Sequence, residues 1–316
     1  MIASVGRIAL VAKPWRGGLG TYVGMALEEL FPGRVLQLHT YPDTAQDKLR
    51  YRLDRKAWRS RLTEHISNLD ADVILFLNLL PEFAALPVRP GYIAWLTDSP
   101  EPALGLLGPF SRVFISDPGY EAMVTDAIGI DRYAGVLPFA CQPLMHRWVA
   151  RREDAQGFCY IANRDAKRDH VLRYLFENGR SVHVYGNYFL RHSLFWHHPS
   201  CFRPSIANRR MGAVYARYLA SLNIHAEVVR CGTNMRTFEC AAYGVPQLVE
   251  YRPGLEALFD IDREIYVFNG VQELFAMMEE VEADVGEAHA RAARAYERAL
   301  AEHTYAHRIR EILTKL

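Results

Sequence analysis

Residues 231–251, CGTNMRTFECAAYGVPQLVEY, constrain the fold more than any other stretch of this chain. A polar turn through Cys231, Gly232, Thr233 and Asn234 enters a short helical pattern over 236–243. A Gly-Val-Pro corner (Gly244, Val245, Pro246) then leads into an apolar, β-rich run over 247–251. Glycine directly after a helix suits the left-handed cap that other residues adopt only at a cost. Turn, helix, corner and buried strand in that order make one unit of an α/β sheet. The start of the helix is polar: Asn234, Arg236 and Glu239 fall within two turns. Unpaired backbone N–H groups and the helix dipole favour an anion at that end. An amide, a cation and a carboxylate so placed can hold a ribose diphosphate. The same residues can also serve as caps or solvated charges, and FECAAYG can be ordinary core-facing helix.

The strand, loop, helix order appears again near the N-terminus. Residues 7–12 (RIALVA) read as a buried strand, followed by a loop with Gly17, Gly18 and Gly20 and a helix over 21–30. That is the first βα unit of a doubly wound sheet, whose ligands bind at the C-terminal ends of strands. The loop has neither a Walker Lys-Ser pair nor dinucleotide-fingerprint spacing, which argues against an ATPase or a dehydrogenase. Further strands are predicted over 35–39, 73–78, 92–96 and 113–116. A basic amphipathic helix is predicted over 45–68, its cations reading first as a solvated face and, as the alternative, as a contact to nucleic acid or a membrane surface. At 157 the pattern restarts with GFCYIAN, an amphipathic helix and SVHVYGN, as a second Rossmann-like half requires. A helix over 206–222 and a strand over 224–229 then lead into the organising stretch. A length of 316 residues suits two domains, predicted as 1–150 and 151–300, with 301–316 as a closing helix.

Several further residues stand where ligands meet α/β sheets. Asp98, in Thr97-Asp98-Ser99-Pro100, ends the strand over 92–96 as either a cleft-facing carboxylate or a turn cap. Asn163, Arg164, Lys167 and Arg168 sit where a loop becomes a helix, and cations there oppose the helix dipole and so call for an anion. Tyr185 and Gly186 end the second strand of that half, where a nucleobase could border them. Asp70-Ala71-Asp72 and Asp260-Ile261-Asp262 read as corners, and His197-His198 lacks the i,i+4 spacing of a metal pair, so no metal site is predicted. A net charge of +1 demands no polyanionic partner. Five dispersed cysteines without a CxxC pair read as reduced thiols of a cytoplasmic protein. No signal-peptide pattern appears, and no apolar run reaches the length of a membrane span.

The 231–251 string resembles the donor-site segment of group 1 glycosyltransferases of the GT-B fold. Their pattern sets a glutamate, seven residues, a second glutamate and a small-residue helix ending in Gly-Val-Pro. Glu239 and Gly244 to Pro246 match the second half, while Cys231 stands in place of the first glutamate. The CgeB-like (spore maturation protein) branch has an Asn-x-Arg-x-Phe-Glu string here, reproduced by Asn234, Arg236, Phe238 and Glu239. Its Trp-x-x-Asp-x-Pro string is matched by Trp95, Asp98 and Pro100. GGLGTYV, VLPFA and the terminal HTYAHRIREIL resemble the family's first loop, domain crossing and closing helix.

The resemblance implies an α/β GT-B fold, with two facing Rossmann-like domains, an interdomain cleft and a C-terminal helix returning to the N-terminal domain. It implies a glycosyltransferase that uses a nucleotide-activated sugar and needs no cofactor or obligatory metal. Donor-binding positions would be Gly18, Gly20, Asn163, Arg168, Tyr185, Gly186, Asn234, Arg236, Thr237 and Glu239. Asp98, Arg236 and Glu239 would be the catalytic set, Asp98 as the base if the anomeric centre inverts. The acceptor (protein, glycan, small molecule or DNA), the donor sugar, the stereochemistry and the oligomeric state stay open. A nucleotide-sugar epimerase of the same fold and a non-catalytic nucleotide-sugar-binding scaffold are the alternatives.

Overall fold

Continuous apolar runs, rather than alternating ones, make the central strands, because helices cover both faces of a parallel sheet. The computed structural model describes residues 6–15, 17–187 and 192–316. It divides into two compact units, Met1–Pro138 with Tyr305–Leu316, and Phe139–Thr304.

The first unit runs β1 (Ile8–Ala12), α1 (Leu19–Leu30), β2 (Val35–His39), α2 (Ala45–Leu53), α3 (Arg55–Ser67), β3 (Val73–Phe76), β4 (Arg89–Leu96), β5 (Phe110–Ile115), α4 (Glu121–Ile128) and β6 (Tyr133–Val136). Its sheet has the order β2-β1-β3-β4-β5-β6, parallel throughout. Sequence order reverses at β1, so the glycine loop after it lies at a topological switch point. Gly17 there has φ 78°. A Cβ on Gly20 would fall 2.8 Å from the Ala12 Cβ and 3.0 Å from the Lys13 carbonyl, so the bare backbone is what lets α1 seat against β1. The C-terminal helix (Tyr305–Thr314) belongs to this unit: Tyr305 stacks on Tyr22 at 5.9 Å, and Arg308 Nε donates to the Pro138 carbonyl at 2.9 Å. The single helix predicted over 45–68 is in fact two. Asp54 leaves helical geometry (φ −147°) and its carboxylate accepts from Ala57 N at 2.8 Å, so it caps α3 and breaks the run.

The second unit comprises β7 (Phe158–Ile161), α5 (Ala166–Glu177), β8 (Val182–Tyr185), α6 (Ser193–His197), β9 (Phe202–Arg203), α7 (Met211–Tyr215), β10 (Ala220–Asn223), α8 (Met235–Tyr243), β11 (Gln247–Glu250), β12 (Tyr266–Phe268), α9 (Val271–Ala283) and α10 (Val285–Glu302). The sheet order is β12-β11-β10-β7-β8-β9, again all parallel. Here the sequence reading of 206–229 is corrected. The long helix reduces to α7 and a preceding turn, and the strand is β10, upstream of the predicted 224–229. Ser221 and Asn223 are fully buried in β10 between β7 and β11, and their polarity disguised a central strand. The more apolar run after it is a loop, with Val228 exposed. Residues 139–150, read from the sequence as the end of the first domain, cluster with this second unit. Cys141 N bonds the His303 carbonyl at 2.8 Å and Val149 N the Tyr243 carbonyl at 3.0 Å. No helix among the described residues is long and apolar enough to cross a membrane.

Candidate functional site

In the second sheet the order reverses at β7, which has β8 on one side and β10 on the other. Loops leaving β7 and β10 diverge at such a point and open a crevice. A pocket of about 210 Å³ lies there, lined by Ile161, Ala162 and Asn163 at the end of β7, Asn223 and Ile224 at the end of β10, Arg168 of α5, and Asn234, Arg236 and Glu239 at the start of α8.

The front of α8 is fixed by a polar network. Asn234 is the N-cap and its side-chain oxygen accepts from Thr237 N at 3.3 Å. Its Nδ2 donates to Asn223 Oδ1 at 2.8 Å and contacts His225 Nδ1 at 3.0 Å. The ring nitrogen that receives that bond is the unprotonated one. Burial first, and then the nearby charges of Arg252, Lys167 and Arg168, hold the His225 pKa at about 3, so the imidazole is neutral. Thr237 faces inward: its hydroxyl, fully buried, contacts Thr233 Oγ1 at 2.5 Å and accepts from Asn223 Nδ2 at 2.9 Å. It ties the helix to β10 and does not line the pocket.

Arg236 and Glu239, three residues apart, project from the same face of α8. Arg236 Nη1 donates to Glu239 Oε2 at 2.6 Å and lies 3.2 Å from Met211 Sδ. The glutamate side chain is 2% exposed and the arginine 22%. The second carboxylate oxygen, Oε1, is buried without a hydrogen bond and faces His146 Nε2 at 3.6 Å. His146 Nδ1 accepts from Gln142 N at 3.1 Å, which puts the proton of the neutral ring on Nε2, toward the carboxylate. Burial lowers the His146 pKa, with Glu239 opposing and Arg236 reinforcing the shift. The pocket therefore presents a buried acceptor beside a guanidinium, at a helix N-terminus. A ligand hydroxyl can satisfy the acceptor, and an anion can meet the other two.

Arg168 bridges the two loops of the switch point, donating from Nε to the Ile224 carbonyl and from Nη1 to the Asn163 carbonyl, each at 3.0 Å. Its sequence neighbours are engaged elsewhere: Lys167 Nζ meets Glu250 Oε2 at 2.7 Å and Arg164 Nε meets Asp169 Oδ2 at 2.8 Å. The Tyr185 hydroxyl pairs with that of Tyr218 at 2.8 Å inside an aromatic cluster, and neither Tyr185 nor the buried Gly186 lines the pocket. Gly18, Gly20 and Asp98 belong to the first unit, Gly18 as the extended N-cap of α1 and Asp98 exposed beyond the end of β4. Sequence reasoning missed His146, His225 and Asn223. Polar residues alternating within the ASLNIH run were a usable signal for Asn223 and His225. His146 gave none, since its partner lies far along the chain.

Residues 167–314 match the model of a family described as glycosyl transferase-like. No curated protein matches the chain. Among solved structures it resembles Anabaena HepE in complex with UDP-glucose, with TM-score 0.72, 14% identity, and coverage of 98% of this chain and 100% of that one. This protein has the GT-B fold. Sucrose-phosphate synthase from Thermosynechococcus elongatus aligns with TM-score 0.68 at 11% identity, covering 98% of each chain. A DNA-modifying β-glucosyltransferase, solved in the presence and absence of uridine diphosphoglucose, aligns with TM-score 0.63 at 12% identity, covering 98% of this chain and 97% of that one. The fold expected from the sequence is thereby borne out, and two parallel six-stranded sheets are its structural basis.

Proposed function

We propose that this protein is a glycosyltransferase and that it holds the nucleoside diphosphate of its sugar donor in the pocket at the front of α8. The observation that carries the reading is Glu239, a buried carboxylate on the pocket wall with one oxygen bonded to Arg236 and the other without a hydrogen bond. Ribose hydroxyls donate to Glu239. Arg236, Arg168 and the N–H groups at the α8 N-terminus carry the diphosphate, so no divalent ion is needed to stabilise the leaving group. Asn163 stands at the exposed mouth, and Asn234 and Thr237 keep the helix end in register. The first unit takes the acceptor, with Gly18 offering backbone to an anionic ligand and Asp98 acting as base for an inverting transfer.

The geometry also supports the CgeB-like assignment, because each position of the Asn-x-Arg-x-Phe-Glu string has a separate physical task. Asn234 caps the helix, and Arg236 and Glu239 face the pocket. Phe238 is fully buried, against Phe259 at 5.8 Å and His303 at 5.5 Å. Dispersed cysteines, most of them buried, support a cytoplasmic setting.

The test is a thermal-shift screen against nucleoside diphosphates and their sugars, starting with UDP and UDP-glucose. A ligand at a hundred times its Kd stabilises the native state by about 2.7 kcal/mol. At least one nucleoside diphosphate sugar should raise the melting temperature while its free sugar does not. A flat response across the panel would sink the assignment.

A further inference from the structure

We propose that α2 and the start of α3 form a docking surface for an anionic lipid bilayer, independent of the donor pocket. The only buried side chain of α2 is Tyr51, held by Tyr41 at 4.9 Å and Trp58 at 5.4 Å, with the Arg55 guanidinium 5.1 Å from its ring. At about 3.6 residues per turn, the side of the helix opposite Tyr51 passes between Leu49 and Leu53. Both leucines are indeed exposed, at 59% and 77%. Tyr51 thus turns the apolar pair away from the body of the unit. Lys48 and Arg52 run along one side of that pair and Arg50 along the other, and Arg55 and Lys56 continue past the Asp54 break, all exposed. The acidic residues in the segment are partly engaged: Asp47 bonds Thr44 at 2.8 Å and lies 3.7 Å from Arg50, and Asp54 caps α3.

A nucleic acid could satisfy these cations but would leave the leucine pair in water. A second copy of the same face would set cation against cation. A bilayer of acidic lipids meets both demands, since the leucines enter the acyl boundary while the flanking cations reach headgroup phosphates. With nine residues, α2 lies in the interface and cannot span it. The basic segment that reads from sequence as a solvated face becomes, once Asp54 breaks it and Tyr51 orients it, an apolar ridge between basic margins.

The experiment is co-sedimentation of the full chain with vesicles of phosphatidylcholine alone or mixed with phosphatidylglycerol. Binding should require the anionic lipid and fall as salt rises. Leu49→Asn with Leu53→Asn should weaken partitioning at least about tenfold. Lys48→Gln or Arg52→Gln should weaken it roughly fivefold each. All of these positions are exposed, so melting temperature and the donor-induced shift should match the parent. No binding to anionic vesicles overturns the proposal, and so does binding that the leucine variant leaves unchanged. Equal affinity for duplex DNA, insensitive to the leucines, overturns it in favour of a nucleic acid. A dimer that the leucine variant converts to monomer overturns it in favour of a second copy.

Discussion

Removing Arg236 alone would confuse two roles, because the same guanidinium neutralises Glu239 and is assigned to the diphosphate. Three variants separate them: Arg236→Met, Glu239→Gln and the double substitution. Glu239 is 2% exposed, and in Arg236→Met its carboxylate keeps His146 Nε2, at 3.6 Å, as its polar neighbour among the described residues. An uncompensated buried charge of this kind costs about 3 kcal/mol. Glu239→Gln leaves Arg236, which is 22% exposed and reaches water, so that variant should lose only about 1–2 kcal/mol. In the double variant no charge is stranded and the side-chain volumes are nearly kept, so its stability should return to within about 1 kcal/mol of the parent. That recovery is the coupling a double-mutant cycle measures. Donor binding should not recover. Each hydrogen bond to a charged group is worth about 1.5–3 kcal/mol, so either single variant should bind the nucleoside diphosphate roughly ten- to a hundredfold more weakly, and the double variant more weakly still. Urea unfolding gives the stabilities. Calorimetric titration, with whichever donor raises the melting temperature, gives the affinities. A double variant that folds normally and binds nucleotide as tightly as the parent would show that the pair only supports the scaffold, and would refute the assignment.

Two further outcomes follow from local geometry. Gly20→Ala places a methyl 2.8 Å from the Ala12 Cβ and 3.0 Å from a backbone oxygen, neither of which can move aside cheaply, so thermal melts should show a loss of about 1–3 kcal/mol; an unchanged melt contradicts the close packing of α1 on β1. His225 has a folded pKa of about 3 against an ordinary value near 6.5, so the unfolded chain binds the proton first, and its contribution to stability, full above about pH 6.5, is lost as pH falls toward 3, at about 1.4 kcal/mol per pH unit. Between pH 7 and 5 that amounts to about 2 kcal/mol, and His225→Gln should flatten the urea-midpoint profile by that much; identical slopes for the two proteins rule the buried neutral imidazole out as the cause.

The fold was readable where its cause is local. IALVA and FCYI are buried at every position and announce strands by composition alone. Asn234 before α8 and Gly244 after it, at φ 67°, mark a helix by groups that act within one turn. The pocket wall was partly readable for the same reason, since Arg236 and Glu239 share a helix face by spacing. The Asp54 break was also locally encoded, but the basic periodicity on either side of it masked the cap.

What the sequence alone determined, then, is the succession of strands and helices outside 45–68 and 206–229, and the polar front of α8. Only the tertiary structure decided that ASLN is a central strand, because Ser221 and Asn223 are tolerated inside by neighbours the linear pattern does not display. It decided likewise that Tyr185 turns toward Tyr218, and that His146 stands over Glu239. A buried polar side chain is stable only beside its partner, and where that partner lies is settled by how the chain closes on itself rather than by the residues on either side.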